Sequence, residues 1–195
     1  IRREASGDKV PALARFDGTA WLDLTTPSFF ITKMHGISPD LIYAAGRGGM
    51  ARWDGRAWTE LPMPTGEILS DVFVAGPDEI YATGHAGSLL EGTANGWGVI
   101  PRTIDERLPY ACVPKVAGEV FVGGGPLGLF RRVGKTDQLE HIKPNIHATS
   151  FEVRGSALII TDPGKILATS DGQSFRGTLA EGVPNGTNTI DIAVR

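Results

Sequence analysis

One cysteine, Cys112, stands in a chain of 195 residues, so no disulfide can close within it. Its neighbours Tyr110, Ala111 and Val113 read as the surroundings of a buried apolar thiol, not of a nucleophile. No apolar run approaches the roughly 20 residues that cross a bilayer as a helix, and Ile1-Arg2-Arg3-Glu4 lacks the apolar stretch of a signal peptide. The expectation is a soluble, cytoplasmic protein without membrane contact. Charge of one sign is also scarce: the formal net charge is −3, which provides no basic footprint for DNA or RNA. Metal chemistry has little to work with, because His35, His85, His141 and His147 show no ligand spacing and no HExxH run or cysteine pair occurs. No metal or other cofactor is expected. A Gly-x-Ser-x-Gly nucleophile element is missing as well.

Turn formers are abundant. The chain holds 26 glycines and 13 prolines spread along its whole length, which implies short strands joined by tight turns. Hydrophobic residues make up 41% and charged residues 21%, enough apolar material for a core. Apolar and polar runs of four to seven residues alternate between Pro-Asp, Asp-Gly and Gly-rich turns, and no helical period appears.

Those runs repeat. Arg15-Phe16-Asp17-Gly18-Thr19-Ala20-Trp21 returns 37 residues later as Arg52-Trp53-Asp54-Gly55-Arg56-Ala57-Trp58. Ser38-Pro39-Asp40-Leu41-Ile42-Tyr43-Ala44-Ala45-Gly46 returns after 38 residues as Gly76-Pro77-Asp78-Glu79-Ile80-Tyr81-Ala82-Thr83-Gly84. Weaker copies follow in phase at Gly118-Glu119-Val120-Phe121-Val122-Gly123-Gly124 and Gly155-Ser156-Ala157-Leu158-Ile159-Ile160, and the turn reappears as Ser170-Asp171-Gly172-Gln173-Ser174-Phe175. In the first full unit the pattern predicts strands at 30–37, 41–45, 50–53 and 57–61. Four strands per repeat of about 40 residues is the arithmetic of a β-propeller blade. The fold class is therefore all-β: one propeller domain over 1–195, of four-stranded antiparallel blades, either about five blades or part of a larger ring. Whole units fall at about 29–65, 66–103, 104–144 and 145–181. Partial-blade strands at 10–28 and 187–195 flank them and together supply most of a fifth.

Within this frame several conspicuous residues take structural roles. Asp17, Asp54 and Asp171 recur once per unit before glycine, so they serve turns on separate blades and cannot form one carboxylate site. Trp21, Trp58, Trp97 and Phe175 occupy one offset after the turn and are expected to wedge between blades. Gly46-Arg47-Gly48-Gly49 and Gly123-Gly124-Gly125-Pro126 are hairpin loops, because no helix and no Lys-Ser/Thr follows as a phosphate loop requires. Residues in that slot, Arg47, His85, Leu127 and Asp162, project from one rim. The blade-to-blade connections add Phe29, Glu67, Arg102, Glu106, Arg107, His147 and Asn188 as candidate partner contacts.

The segments Phe16-Asp17-Gly18-x-x-Trp21, Thr26-Pro27, Ser38-Pro39-Asp40-x-Ile42-Tyr43-x-x-Gly46-x-x-Gly49 and Trp53-Asp54-Gly55-x-x-Trp58 resemble bacterial propeller repeats of the WD40/YVTN-like kind. More narrowly, the run from Ile80 to Gly92 with Leu127-Gly128-Leu129-Phe130 resembles immunity proteins encoded beside type VI or Rhs secreted antibacterial toxins. The third and fourth units depart from the pattern by lacking the Trp-Asp-Gly turn. The resemblance implies a non-enzymatic protein that neutralises a cognate toxin domain by covering it. Two other readings stand beside it: a scaffold or assembly-factor propeller with several protein partners, and a sialidase-like enzyme. The last fits least, since Ser170-Asp171-Gly172-Gln173-Ser174-Phe175 departs from the Ser-x-Asp-x-Gly-x-x-Trp spacing of sialidase repeats.

Overall fold

The computed structural model describes residues 2–3, 9–10, 12–101, 110–136, 138–162 and 165–179. Among them every regular element is a strand, and no helix is long and apolar enough to cross a membrane. Two short pairs come first: β1 (Arg2–Arg3) with β2 (Lys9–Val10), then β3 (Leu13–Phe16) with β4 (Trp21–Leu24). Four four-stranded blades follow. Blade I contains β5 (Phe30–Ser38), β6 (Leu41–Arg47), β7 (Gly49–Trp53) and β8 (Trp58–Leu61). Blade II contains β9 (Leu69–Gly76), β10 (Glu79–Gly84), β11 (Leu89–Thr93) and β12 (Gly96–Ile100). Blade III contains β13 (Lys115–Val116), β14 (Glu119–Gly123), β15 (Leu129–Arg132) and β16 (Leu139–Lys143). Blade IV contains β17 (Ser150–Arg154), β18 (Ala157–Asp162), β19 (Lys165–Thr169) and β20 (Arg176–Leu179). Each is an antiparallel meander in chain order, which makes this a β-propeller of four complete blades beside the two-stranded unit β3–β4. The strand expected at 187–195 lies outside the described residues.

Hydrophobic burial runs between blades. Tyr43, Ala45 and Met50 of blade I pack with Leu69, Val72, Val74, Ile80, Ala82 and Leu90 of blade II. Tyr81 and Leu89 of blade II meet Val120, Val122 and Phe130 of blade III. Phe121 and Leu129 of blade III meet Leu158, Ile160 and Leu167 of blade IV. Side chains alternate across a strand, so Ile80 and Ala82 face one neighbouring blade while Tyr81 between them faces the other. Middle strands are thus apolar on both faces, and no blade can bury its surfaces alone.

The repeated turns have the roles expected of them. Asp54 Oδ1 accepts hydrogen bonds from the backbone N–H groups of Arg56 and Ala57, both at 2.8 Å, and Gly55 sits at φ +94°. Asp17 does the same for Thr19 and Ala20, and Asp171 for Gln173 and Ser174. These backbone donors hold all three carboxyls below the ordinary Asp range, Asp171 down to about 2. Trp97 wedges between blades I and II, edge-on to Tyr43 at 6.4 Å, and Phe175 packs on the core between blades III and IV. Trp58 tilts against Trp53 of its own blade at 5.4 Å, and both line a cleft shared with Leu13, Ala14 and Leu24 of the two-stranded unit. Trp21 departs from the expectation: it is 72% exposed and touches Phe16, because it belongs to the two-stranded unit and not to a full blade. Cys112 is buried, and burial pushes its thiol pKa well up, away from nucleophilic use.

Candidate functional site

In a four-stranded meander the second-to-third strand loop and the link to the next blade emerge on one face, while the other two turns emerge on the opposite face. That places Arg47, His85, Leu127 and Asp162 on the same face as Glu67 and His147. Connection and loops are laced together by backbone bonds. Arg47 forms an isolated antiparallel bridge with Ile68, and the His85 N–H donates to the Ile68 carbonyl at 2.9 Å. Glu67 Oε2 accepts the Ala86 N–H at 2.6 Å, while its Oε1 accepts from the Thr65 hydroxyl at 3.2 Å. One connection therefore fixes the loops of blades I and II at once. Arg47 and His85 are exposed there, and Glu67 is half-buried beneath them.

The same construction recurs between blades III and IV. Gly125 and Ala148 exchange backbone hydrogen bonds, both at 3.1 Å, and Asp162 Oδ1 accepts the His147 N–H at 2.9 Å. His147 and Asp162 are half-buried. Leu127 is half-buried too, packed on the core between blades II and III, and its carbonyl lies 2.7 Å from His141 Nε2. The tight Arg47-Gly48 turn, closed by the Gly46 and Gly49 pair with Gly48 at φ +94°, holds Arg47 outward. Phe29 lies elsewhere than expected: it is 8% exposed with its ring over Gly49, so it packs beneath the loop and presents no contact surface. Arg102, Glu106, Arg107 and Asn188 lie outside the described residues.

A second feature has no signal in the sequence. The first strand of each blade is innermost, β5 lying against β9 with the Thr32 hydroxyl donating to the Leu69 carbonyl at 2.7 Å. These strands line an axial channel. Its deeper part, about 100 Å³, is bordered by Lys33, His35, Asp71, Phe73, Phe151 and Glu152. Its wider mouth, about 470 Å³, opens beside the first-to-second strand turns, opposite the rim. His35 and Asp71 carry no motif spacing, and only the strand register aims them inward. Among the described residues no three His, Cys, Asp or Glu side chains gather as metal ligands.

No protein-family model matches the sequence, and neither does any curated protein. Solved structures do match. A structure of YCF48 bound to D1 peptide superposes with a TM-score of 0.61 at 13% identity, over 88% of this chain and 58% of that one. YjhT gives 0.64 at 12% identity, over 84% and 69%. The GH74 enzyme of Niastella koreensis gives 0.62 at 11% identity, over 81% and 30%. At these identities the likeness is one of fold, and the chain spans less than two thirds of the length of YCF48 and of the GH74 enzyme.

Proposed function

We propose that this chain is a protein-binding propeller that works by covering a partner with its rim, without catalysing a reaction. The observation that carries this is the lacing of Arg47, Glu67 and His85 through Ile68 and Ala86, repeated by Gly125–Ala148 and His147–Asp162. Loops already fixed lose little entropy on association, so a modest set of contacts can yield tight binding. Exposed Arg47 and His85, with half-buried Glu67 next to them and Asp162 on the same face, offer both charge signs, which suits orientation of a polar protein surface.

In its specific form the proposal names the partner as a cognate secreted antibacterial toxin domain, met in the cytoplasm, on the strength of the sequence resemblance. The test is to co-express the chain with the product of an adjacent toxin gene. Growth rescue and co-purification are expected, both weakened at least tenfold by Arg47→Glu with His85→Glu. Neither rescue nor co-purification means the toxin reading is wrong. A second reading, a scaffold or assembly-factor propeller, is favoured by the likeness to YCF48 bound to D1 peptide. It predicts binding to several extended peptides without any rescue of growth.

A further inference from the structure

The wide channel mouth lies on the face opposite the rim, and its walls are built differently. Ile37, Phe73, Ala75, Val116 and Val153 supply apolar surface from four different blades. His35 stands among them on β5. Its Nδ1 accepts the Val74 N–H at 3.0 Å, and its ring lies 4.5 Å from the Phe73 ring, so position and tautomer are both set. The ring proton must then sit on Nε2, which has no acceptor among the described residues, and the residue itself borders both the mouth and the deeper channel. Burial, with Lys33 nearby, lowers the pKa of this imidazole and keeps it a neutral N–H donor at neutral pH.

The charged groups of these walls are engaged with one another or with backbone. Glu79 pairs with Lys115, and Glu152 Oε1 accepts from Arg154 Nε at 2.9 Å. Asp71 takes the N–H groups of Val72 and Val113 at 2.9 and 3.0 Å, and Lys33 also has a partner. A charged ligand would have to break one of these pairings, whereas a neutral acceptor meets a donor that is already waiting. On the lip, Ala117 holds φ +51° ahead of Gly118 at +83°, a left-handed conformation that a non-glycine residue rarely adopts. The mouth, about 470 Å³, is an open depression lined by polar and apolar groups in about equal measure, wide enough for a small molecule that stays partly exposed.

We propose that this mouth is a second binding site, for a small uncharged ligand with an apolar body and one acceptor oxygen, of the ketone or amide kind. The oxygen accepts from His35 Nε2–H while the body lies against Phe73, Val116 and Val153. The site is independent of the rim, so it stands or falls separately from the protein-binding reading.

The test uses the full chain and four matched probes: acetophenone, ethylbenzene, benzoate and phenethylammonium. Imidazole and methyl NMR signals are followed through each titration. Acetophenone is expected to shift the His35 Nε2–H and the Ile37 and Val153 methyls saturably in the millimolar range, with at least tenfold weaker effects from the other three. His35→Phe, which keeps a ring but removes the donor, should erase the preference for acetophenone over ethylbenzene. Val153→Trp fills the mouth without touching the His35–Val74 bond and should abolish all binding, which keeps the test decisive if His35→Phe fails to fold. No saturable shift in the unaltered chain, equal affinity for all four probes, or binding that survives Val153→Trp overturns the proposal.

Discussion

Arg132 shows how a single residue ties two blades. It is 5% exposed, and its guanidinium donates to Glu91 Oε2 of blade II at 2.9 Å and to the Thr136 carbonyl at 2.8 Å. Removing Glu91 leaves the buried guanidinium without its counter-charge, so Glu91→Ala should lower unfolding free energy by about 2 kcal/mol, less than the roughly 3–5 kcal/mol for a fully buried pair because the Glu91 side chain is 39% exposed and Arg132 keeps the Thr136 carbonyl. Arg132→Met, which removes the charge and keeps apolar volume, should cost less; denaturant titration of both variants checks the order. His35 sets a pH response. Its folded pKa lies below the ordinary value of 6.5 because of burial first and Lys33 second. The unfolded chain therefore binds the proton more readily, and stability should fall as pH drops below about 6.5. Thermal unfolding between pH 7.5 and 5 should show this loss in the native chain and a smaller one in His35→Phe. The tautomer and donor role of His35 had no signal in the sequence, since they depend on Val74, 39 residues away.

At the scale of elements, the predicted strands of the first unit nearly coincide with β5 to β8, because turn chemistry fixed their ends. Ser38-Pro39-Asp40, Arg47-Gly48 and Asp54-Gly55 all lie where the chain reverses. Strand burial was less legible. The alternation expected of half-buried strands gives way in β6 to Tyr43, Ala44 and Ala45 all at 0% exposure, since a blade has neighbours on both faces. Close approach of β6 to β5 adds a requirement that composition hides. A Cβ on Gly46 would lie 1.9 Å from the Phe30 carbonyl oxygen, so Gly46→Ala should destabilise by about 3 kcal/mol, read by denaturant midpoint. Ala117→Gly works in the opposite sense. It relieves a left-handed alanine at the cost of a freer unfolded chain, for a net gain of up to about 1 kcal/mol.

For the molecule as a whole, the repeat made the architecture readable while the site was only partly so. A period set by Trp-Asp-Gly and Pro-Asp turns assigns every loop to a face, which is why Arg47, Glu67, His85, Leu127, His147 and Asp162 emerge together. The sequence could not tell that Phe29 folds under Gly49, that Leu127 is half-spent on the core, or that Trp21 stands exposed, because each depends on which blade lies alongside. The axial channel has no signal in the sequence for the same reason: its described walls come from strands far apart in the chain. The claim that the laced rim is the protein-binding surface is tested most directly by hydrogen–deuterium exchange of the chain alone and in complex with a co-purified protein partner. Protection should concentrate at residues 47–48, 65–68, 85–87 and 147–148, with the Asp54 and Asp171 turns unchanged. Protection of those turns or of the outer strands β8 and β12, with the rim exchanging as before, would contradict the claim.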